Sequence, residues 1–328
     1  MGRRLLPALL AGSVALVHVI GVDAAGGTRV AGHVAASLGY DSQVNVTPDD
    51  AAEVVPSFGT VPLPLSRVRR RPGAAFAGAE ARVDVVHAVA PRLAVVARAG
   101  VQERENLAEA YDVHTVDASV GLRLGASDRD DVSVSVQGRR ESNDDELSRG
   151  LLGLALDWRR RIVPGTEGLV FARFTRVAHF PSARALRDTQ LTLGGIAIEH
   201  AFGEARSGPR GVTLSASLHA GHEDPREALR KDIGRHFFGL RVKLEYPVDG
   251  RVDGHATVAW ETSSYAGVEP GIGRKRQDDH AEVRLGLRWP TDARWSVRPE
   301  LRWARNGSTV PQDDYDRLGA WTTVRYDF

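Results

Sequence analysis

Not one of the 328 residues is cysteine. Disulfides, thiol catalysis and a lipid anchor on a leading cysteine are therefore excluded. Long apolar runs are also missing. Beyond the N-terminal stretch, no 18-residue segment is apolar enough to cross a bilayer as a helix. Charge of one sign is lacking too: 43 basic residues face 42 acidic ones, a net charge of +1. A nucleic-acid binder would carry a basic surplus, so no nucleic-acid partner is expected. Methionine occurs once and aromatics make up 6% of the chain.

What is present is alternation. Leu318, Ala320, Thr322, Val324, Tyr326 and Phe328 share one phase, and Gly319, Trp321, Thr323, Arg325 and Asp327 share the other. A strand has period two, so one face is apolar and the other wet. The same pattern recurs in Val116 to Leu124, Val212 to Ala220, Phe238 to Tyr246 and Ala281 to Trp289. Each run has about ten residues, the length of a tilted transmembrane strand.

Strands are expected near 29–44, 74–88, 92–104, 112–124, 131–142, 149–160, 167–178, 187–201, 211–222, 235–246, 253–264, 278–289, 294–305 and 316–328. In the eighth, Leu191 and Leu193 fall out of phase with Ile196 and Ile198, which predicts a bulge near Gly194-Gly195. Turn chemistry marks short connections at Ala90-Pro91, Ser127 to Asp130, Val163 to Thr166, Val248 to Gly250 and Pro290 to Asp292. Generally longer polar loops fall between them, near 45–73, 105–111, 143–148, 179–186, 223–234, 265–277 and 306–315. The fold class predicted is all-β: a transmembrane antiparallel up-and-down barrel of about 14 strands. A β-sandwich also alternates. Opposite charges crowding the polar phase, such as Glu282 with Arg284, and Trp158, Trp260, Trp289, Trp295 and Trp303 toward strand ends on the apolar phase favour the barrel.

The N-terminus has the build of an export signal: Arg3 and Arg4, an apolar Leu5 to Val19, and a small-residue site at Val22-Asp23-Ala24. Residues 1–24 are expected to be the signal peptide and 25–328 the barrel. The expected location is the outer membrane of a Gram-negative bacterium, with both termini periplasmic. The lipid bilayer is then the first partner. Trp321, Val324, Tyr326 and Phe328 are the barrel-closing residues, and Phe328 reads as part of the signal that the barrel assembly machinery recognises.

Catalysis finds no support in the motifs, and no enzyme and no cofactor are expected. His219 and His222 point to opposite faces of a strand and cannot share a metal without a bulge. Gly267 to Lys275 lacks the spacing of a phosphate loop. No Gly-x-Ser-x-Gly elbow occurs. The acidic runs Asn143 to Glu146 and Asp313 to Asp316 read as solvated loops, with weak Ca²⁺ binding as the other reading.

Three segments nevertheless resemble a family. Gly39-Tyr40-Asp41-Ser42-Gln43-Val44-Asn45 resembles the opening signature of the barrel domain of the surface lipoprotein assembly modifier (Slam) family, which typically has Asn where this chain has Gln43. Arg274 to Asp279 is similar to a basic-then-acidic motif of that domain. Arg305-Asn306-Gly307-Ser308, followed by Asp314-Tyr315-Asp316-Arg317 and the final strand, resembles its closing hairpin. The family barrel has fourteen strands. The resemblance implies assistance in moving lipoproteins or secreted proteins to the cell surface. It marks Gly39, Tyr40, Asp41, Ser42, Asn45, Asn306, Ser308, Tyr315, Asp316 and Arg317 as family-motif residues. Members commonly carry periplasmic tetratricopeptide repeats. No such region precedes Tyr40 here, so a separate periplasmic helical-repeat partner is expected. The other functional reading is a passive channel, with 45–73 as its best plug. A receptor or adhesion barrel acting through its loops is the third.

Extracted without boiling, a barrel of this kind migrates differently on a gel than after boiling. Purification as a soluble protein without detergent would contradict the architecture.

Overall fold

Fourteen strands close on themselves in a computed structural model that describes residues 27–43, 53–55, 59–61, 73–107, 112–143, 146–180, 187–202, 211–227, 230–268 and 273–328. The barrel strands are β1 (Thr28–Asp41), β4 (Ala74–Ala90), β5 (Leu93–Asn106), β6 (Val113–Gly125), β7 (Asp130–Asn143), β8 (Glu146–Val163) and β9 (Thr166–His179). They continue with β10 (Thr189–Phe202), β11 (Val212–Pro225), β12 (Arg235–Pro247), β13 (Asp253–Val268), β14 (Lys275–Pro290), β15 (Trp295–Ser308) and β16 (Tyr315–Asp327). Each pairs antiparallel with its neighbours in sequence, and β1 pairs with β16 to complete the ring. Within 45–73 the described residues form a small hairpin of β2 (Glu53–Val55) and β3 (Gly59–Val61). The plug expected there otherwise lies outside the described residues, as does the export signal at 1–24.

The alternation sets which side chains meet lipid. Leu38, Val120, Leu122, Leu154, Ile196, Val258, Leu285, Leu301 and Leu318 all project outward and are exposed. Their in-between neighbours face the lumen, where Asp41, Glu141, Arg173, Glu261, Glu282 and Arg317 are buried. So wide an apolar exterior is far beyond what a soluble monomer tolerates, and it fits hydrocarbon. No helix is long and apolar enough to cross a membrane among the described residues.

Connections at one end are mostly tight. Asp249 Oδ1 accepts hydrogen bonds from the backbone N–H of Arg251 (2.6 Å) and Val252 (2.8 Å). Asp292 Oδ1 does the same for Arg294 (2.7 Å) and Trp295 (2.8 Å), which holds its carboxyl below the usual range. Pro164-Gly165 joins β8 to β9 with Gly165 at φ +78°, a conformation glycine adopts without a steric penalty. We call this the turn end and the opposite one the loop end. Both β1 and β16 begin or finish here, so Thr28 and Asp327 lie at the turn end together.

Three expectations are corrected. The connection near 143–148 is only Asp144-Asp145, because β7 and β8 zip further up and pair Asn143 with Glu146. Inside that hairpin, Glu141 accepts two hydrogen bonds from Arg149 at 2.7 and 3.0 Å. Next, β10 has no bulge near Gly194-Gly195: it keeps continuous register with β9 and β11. Leu191 and Leu193 simply sit on the lumen phase, with Ile196 and Ile198 on the lipid phase. They join Leu169, Phe171, Ala197 and Phe237 in an apolar cluster inside the barrel. The Phe171 ring lies over Gly195, where a Cβ would collide with it. Register offsets occur instead at Ala88/Ala90, Glu141/Ser142, Arg161/Val163 and Ser264/Val268. Finally, Trp158, Trp289 and Trp295 lie toward the turn end, whereas Trp260 and Trp303 are nearer mid-strand; all five face outward.

Leu154→Arg puts a cation on the lipid face and is expected to cost about 2–4 kcal/mol in denaturant unfolding from vesicles. Ser135→Arg, one strand over but facing the lumen, is expected to cost far less. Equal losses would contradict the assigned phases.

Candidate functional site

The residues from the two ends of the chain meet where β1 closes on β16. The ladder runs from His33–Asp327 to Asp41–Gly319. Near its loop end, Asp41 and Arg317 face inward and are almost wholly buried, at 3% exposure each. Arg317 donates to both carboxylate oxygens of Asp41 through Nε (2.9 and 3.0 Å) and again through Nη2. Arg104 of β5 donates to the same carboxylate at 3.1 Å and lies over the Phe76 ring at 4.0 Å. One carboxylate thus ties β1, β5 and β16 together. Ser42 extends the closure. Its N–H donates to the Leu318 carbonyl (2.9 Å), and its hydroxyl accepts from the Leu318 N–H (2.8 Å). Gly39 sits opposite Trp321, and a Cβ there would run into Trp321 and Phe76. Tyr40 points the other way, exposed on the lipid phase.

The closing hairpin β15–β16 supplies the next group. Asn306 is buried opposite Tyr315, and its Nδ2 donates to the Asp313 carbonyl at 2.7 Å. Ser308 donates to Asp278 at 2.6 Å and accepts from the Val310 N–H at 3.1 Å. Arg276 bridges Asp278 and Asp313 (2.7 Å to the latter) beneath the Tyr265 ring. Asp316 stands apart, exposed on the outer surface in register with Arg305. Asn45 lies outside the described residues. So Asp41, Ser42 and Arg317 come together at one seam, Asn306, Ser308 and Tyr315 brace the adjoining hairpin, and Tyr40 and Asp316 belong to the outside.

At the turn end the same seam is closed by Phe328. Its N–H and carbonyl exchange hydrogen bonds with Gly32, both at 3.0 Å, and its ring lies where a Gly32 Cβ would be. Tyr326 packs between Phe328 and Trp295, with ring centroids 6.4 and 5.0 Å away, and accepts a hydrogen bond from Arg294 at 2.8 Å. Val324 is exposed on the same outward phase, while Trp321 faces the lumen.

The lumen is uneven along its length. In the loop half, its ion pairs are sealed: Asp41 and Arg317 side chains are 4% and 3% exposed, Glu282 and Arg302 3% and 7%. Arg235 there binds both Glu223 (3.2 Å) and Glu261 (3.3 Å), and His219 meets Glu261 at 3.2 Å. In the turn half the pairs are open: Asp84 and Arg98 are 35% and 26% exposed, Asp327 and Arg298 33% and 28%. Among the described residues, the inward ion pairs named are thus more accessible toward the turn end and buried toward the loop end. His222 is exposed on the outer face, away from His219, as their spacing required. No group of three or more His, Asp or Glu is arranged to hold a metal among the described residues.

Sequence reasoning missed Arg104, and it missed that Glu282 is shared by Arg284 (2.6 Å) and Arg302 (2.7 Å). The only signal was the crowding of opposite charges on the wet phase.

No known family pattern matches this sequence, and no curated protein matches it. Some solved structures resemble it in part. One is a loop-deletion mutant of OmpT, an outer membrane protein of Vibrio cholerae: 10% identity, TM-score 0.47, covering 92% of this chain and 100% of that one. A bacterial polysaccharide outer membrane secretin matches at 13% identity and TM-score 0.47, over 91% and 98% of the two chains. A Pseudomonas aeruginosa FadL homologue matches at 9% identity and TM-score 0.46, over 91% and 90%.

Removing the shared carboxylate deprives two buried guanidiniums of it. Asp41→Ala is expected to destabilise by about 3–5 kcal/mol. Asp41→Asn combined with Arg104→Gln and Arg317→Gln should cost clearly less, because all three charges of the group are removed together. The temperature at which gel mobility shifts is the readout, and a triple variant worse than Asp41→Ala would contradict the assignment.

Proposed function

We propose that this protein is a Slam-type outer-membrane barrel that assists lipoproteins or secreted proteins across the membrane to the cell surface. One observation carries the reading. Asp41 and Arg317, which carry the resemblance from opposite ends of the chain, form a buried ion pair at the seam, and Ser42 beside them exchanges hydrogen bonds with the Leu318 backbone. A second supports the direction of transport. The inward charges are accessible toward the turn end, where β1 starts and β16 finishes, and that end faces the periplasm in this reading. A client enters there and must displace or part the buried ion pairs. Translocation of this kind makes and breaks no covalent bond in the client, so no catalytic group or cofactor is required. Client capture falls to a separate periplasmic helical-repeat protein. Insertion falls to the barrel assembly machinery acting on the strand that carries Val324, Tyr326 and Phe328.

A passive channel is the second reading, favoured by the exposed charges of the turn half. The two part in planar bilayers. The sealed loop half predicts a mostly silent protein as a translocator, whereas a channel gives steady conductance steps. In cells, deleting the gene is expected to strand at least one lipoprotein or secreted protein inside, read by protease shaving of intact cells. Delivery of every such protein in the deletion strain would overturn the translocator.

A further inference from the structure

The register of β11 with β12 sets His222 directly opposite His236. Both lie on the outward phase near the loop end, in step with the exposed Leu218 and Phe238 lower down the same two strands. Opposed residues of an antiparallel pair share one face, with Cβ atoms about 5 Å apart. The two imidazole rings stand with centroids 6.1 Å apart, tilted by 43°. Asp224, two residues along β11 on the same face, places Oδ2 at 3.3 Å from His222 Nε2. All three side chains are accessible: His222 is 43% and Asp224 67% exposed, and His236 is exposed as well. Their neighbours in register are uncharged. Thr192 of β10 stands beside His222, Gln190 beside Asp224, and Ser264 of β13 beside His236.

Imidazole nitrogen suits Zn²⁺, Cu²⁺ and Ni²⁺. A ligating histidine commonly gives its second ring N–H to a carboxylate, which fixes the tautomer and the ring orientation. Asp224 stands where it can take that N–H from His222 Nε2, and Nδ1 then keeps a free lone pair. A tetrahedral ion with metal–nitrogen bonds of about 2.0–2.1 Å sets two ring centroids roughly 5 Å apart. Small rotations of two exposed rings bring them there from 6.1 Å. His219, three residues before His222 on the same strand, faces the lumen; the partner that shares the face of His222 comes from the next strand.

We propose that His222 and His236 form a two-histidine site for a divalent transition metal on the outer face of the barrel, with Asp224 as the carboxylate behind His222 and water completing the coordination shell. A bound ion bridges β11 and β12 at the edge of the apolar band. The site is independent of whether the barrel moves proteins or small solutes.

Zn²⁺ titrated calorimetrically into full-length protein in detergent is expected to fill one strong site. His222→Ala and His236→Ala should each remove it, and Asp224→Asn should weaken it about 10- to 100-fold. His87→Ala, at an outward-phase histidine that meets Thr28 instead, should leave it unchanged. Excess Mg²⁺ should not displace the Zn²⁺. The heat-dependent gel shift checks that each variant is folded. In unaltered protein, one equivalent of Cu²⁺ should give an electron paramagnetic resonance spectrum split by two imidazole nitrogens, and this spectrum decides if the alanine variants do not fold. No Zn²⁺ binding to unaltered protein, a site that survives both alanine variants, displacement by Mg²⁺, or a Cu²⁺ spectrum with fewer than two imidazoles would overturn the site.

Discussion

A strand in hydrocarbon cannot leave its N–H and C=O groups unbonded, since each orphan costs several kcal/mol and no water is at hand. Closure of β1 on β16 is therefore the contact on which every other strand depends. Thirteen of the fourteen strand pairings join neighbours in the barrel's chain order and form locally. This one joins residues 276 positions apart, as in Asp41 and Arg317. Two devices fix it. At the loop end, a buried carboxylate held by two arginines ties β1 to β16 and β5. At the turn end, the Phe328 backbone locks onto Gly32 while its ring covers the glycine. A one-residue slip would break both and turn every inward charge of β16 toward lipid.

The lumen follows from the same logic. Inward-facing charges are excluded from the lipid face, and in the narrow half they lie too close together to be solvated singly. They are therefore paired across strands, Glu141 with Arg149, Glu223 and Glu261 with Arg235, Glu282 with Arg302. Such pairs add modestly to stability when intact and cost much when one member is lost. They also specify register, because each joins particular positions on two strands. The apolar cluster around Leu191 and Phe171 fills part of the interior with buried side chains, and a cavity remains beside the seam.

Much of the fold was legible because a barrel wall imposes one rule on every strand. The period of two gave fourteen strands, and the phase of the final one put Val324, Tyr326 and Phe328 outside and Trp321 inside. The rule fails where the lumen itself is greasy. Leu191 and Leu193 were assigned to the lipid phase by their chemistry, and the resulting mismatch looked like a bulge. It is instead a patch of core inside the barrel. Loop length at 143–148 was misjudged because the Glu141–Arg149 pair, which extends the hairpin, reads in sequence as polar loop. Of the inward charges, Glu282 and Arg284 were read as a pair because they lie two apart on one strand, and they do bond; partners on other strands were not legible. Nothing near Arg104 in the sequence points to Asp41; only closure of the ring brings them together. The motif residues Asp41, Ser42 and Arg317 were found by resemblance, and their shared location came from the geometry.

Since the chain has no cysteine, the seam can be tested by a single engineered disulfide. Ser37 and Thr323 face each other across the β1–β16 ladder on the lumen side. Ser37→Cys with Thr323→Cys should oxidise to a covalently closed ring whose mobility stays altered after boiling and returns to normal on reduction. Ser37→Cys with Arg325→Cys, two residues out of register, should not cross-link. Efficient cross-linking of the second pair in place of the first would contradict the seam on which the account rests.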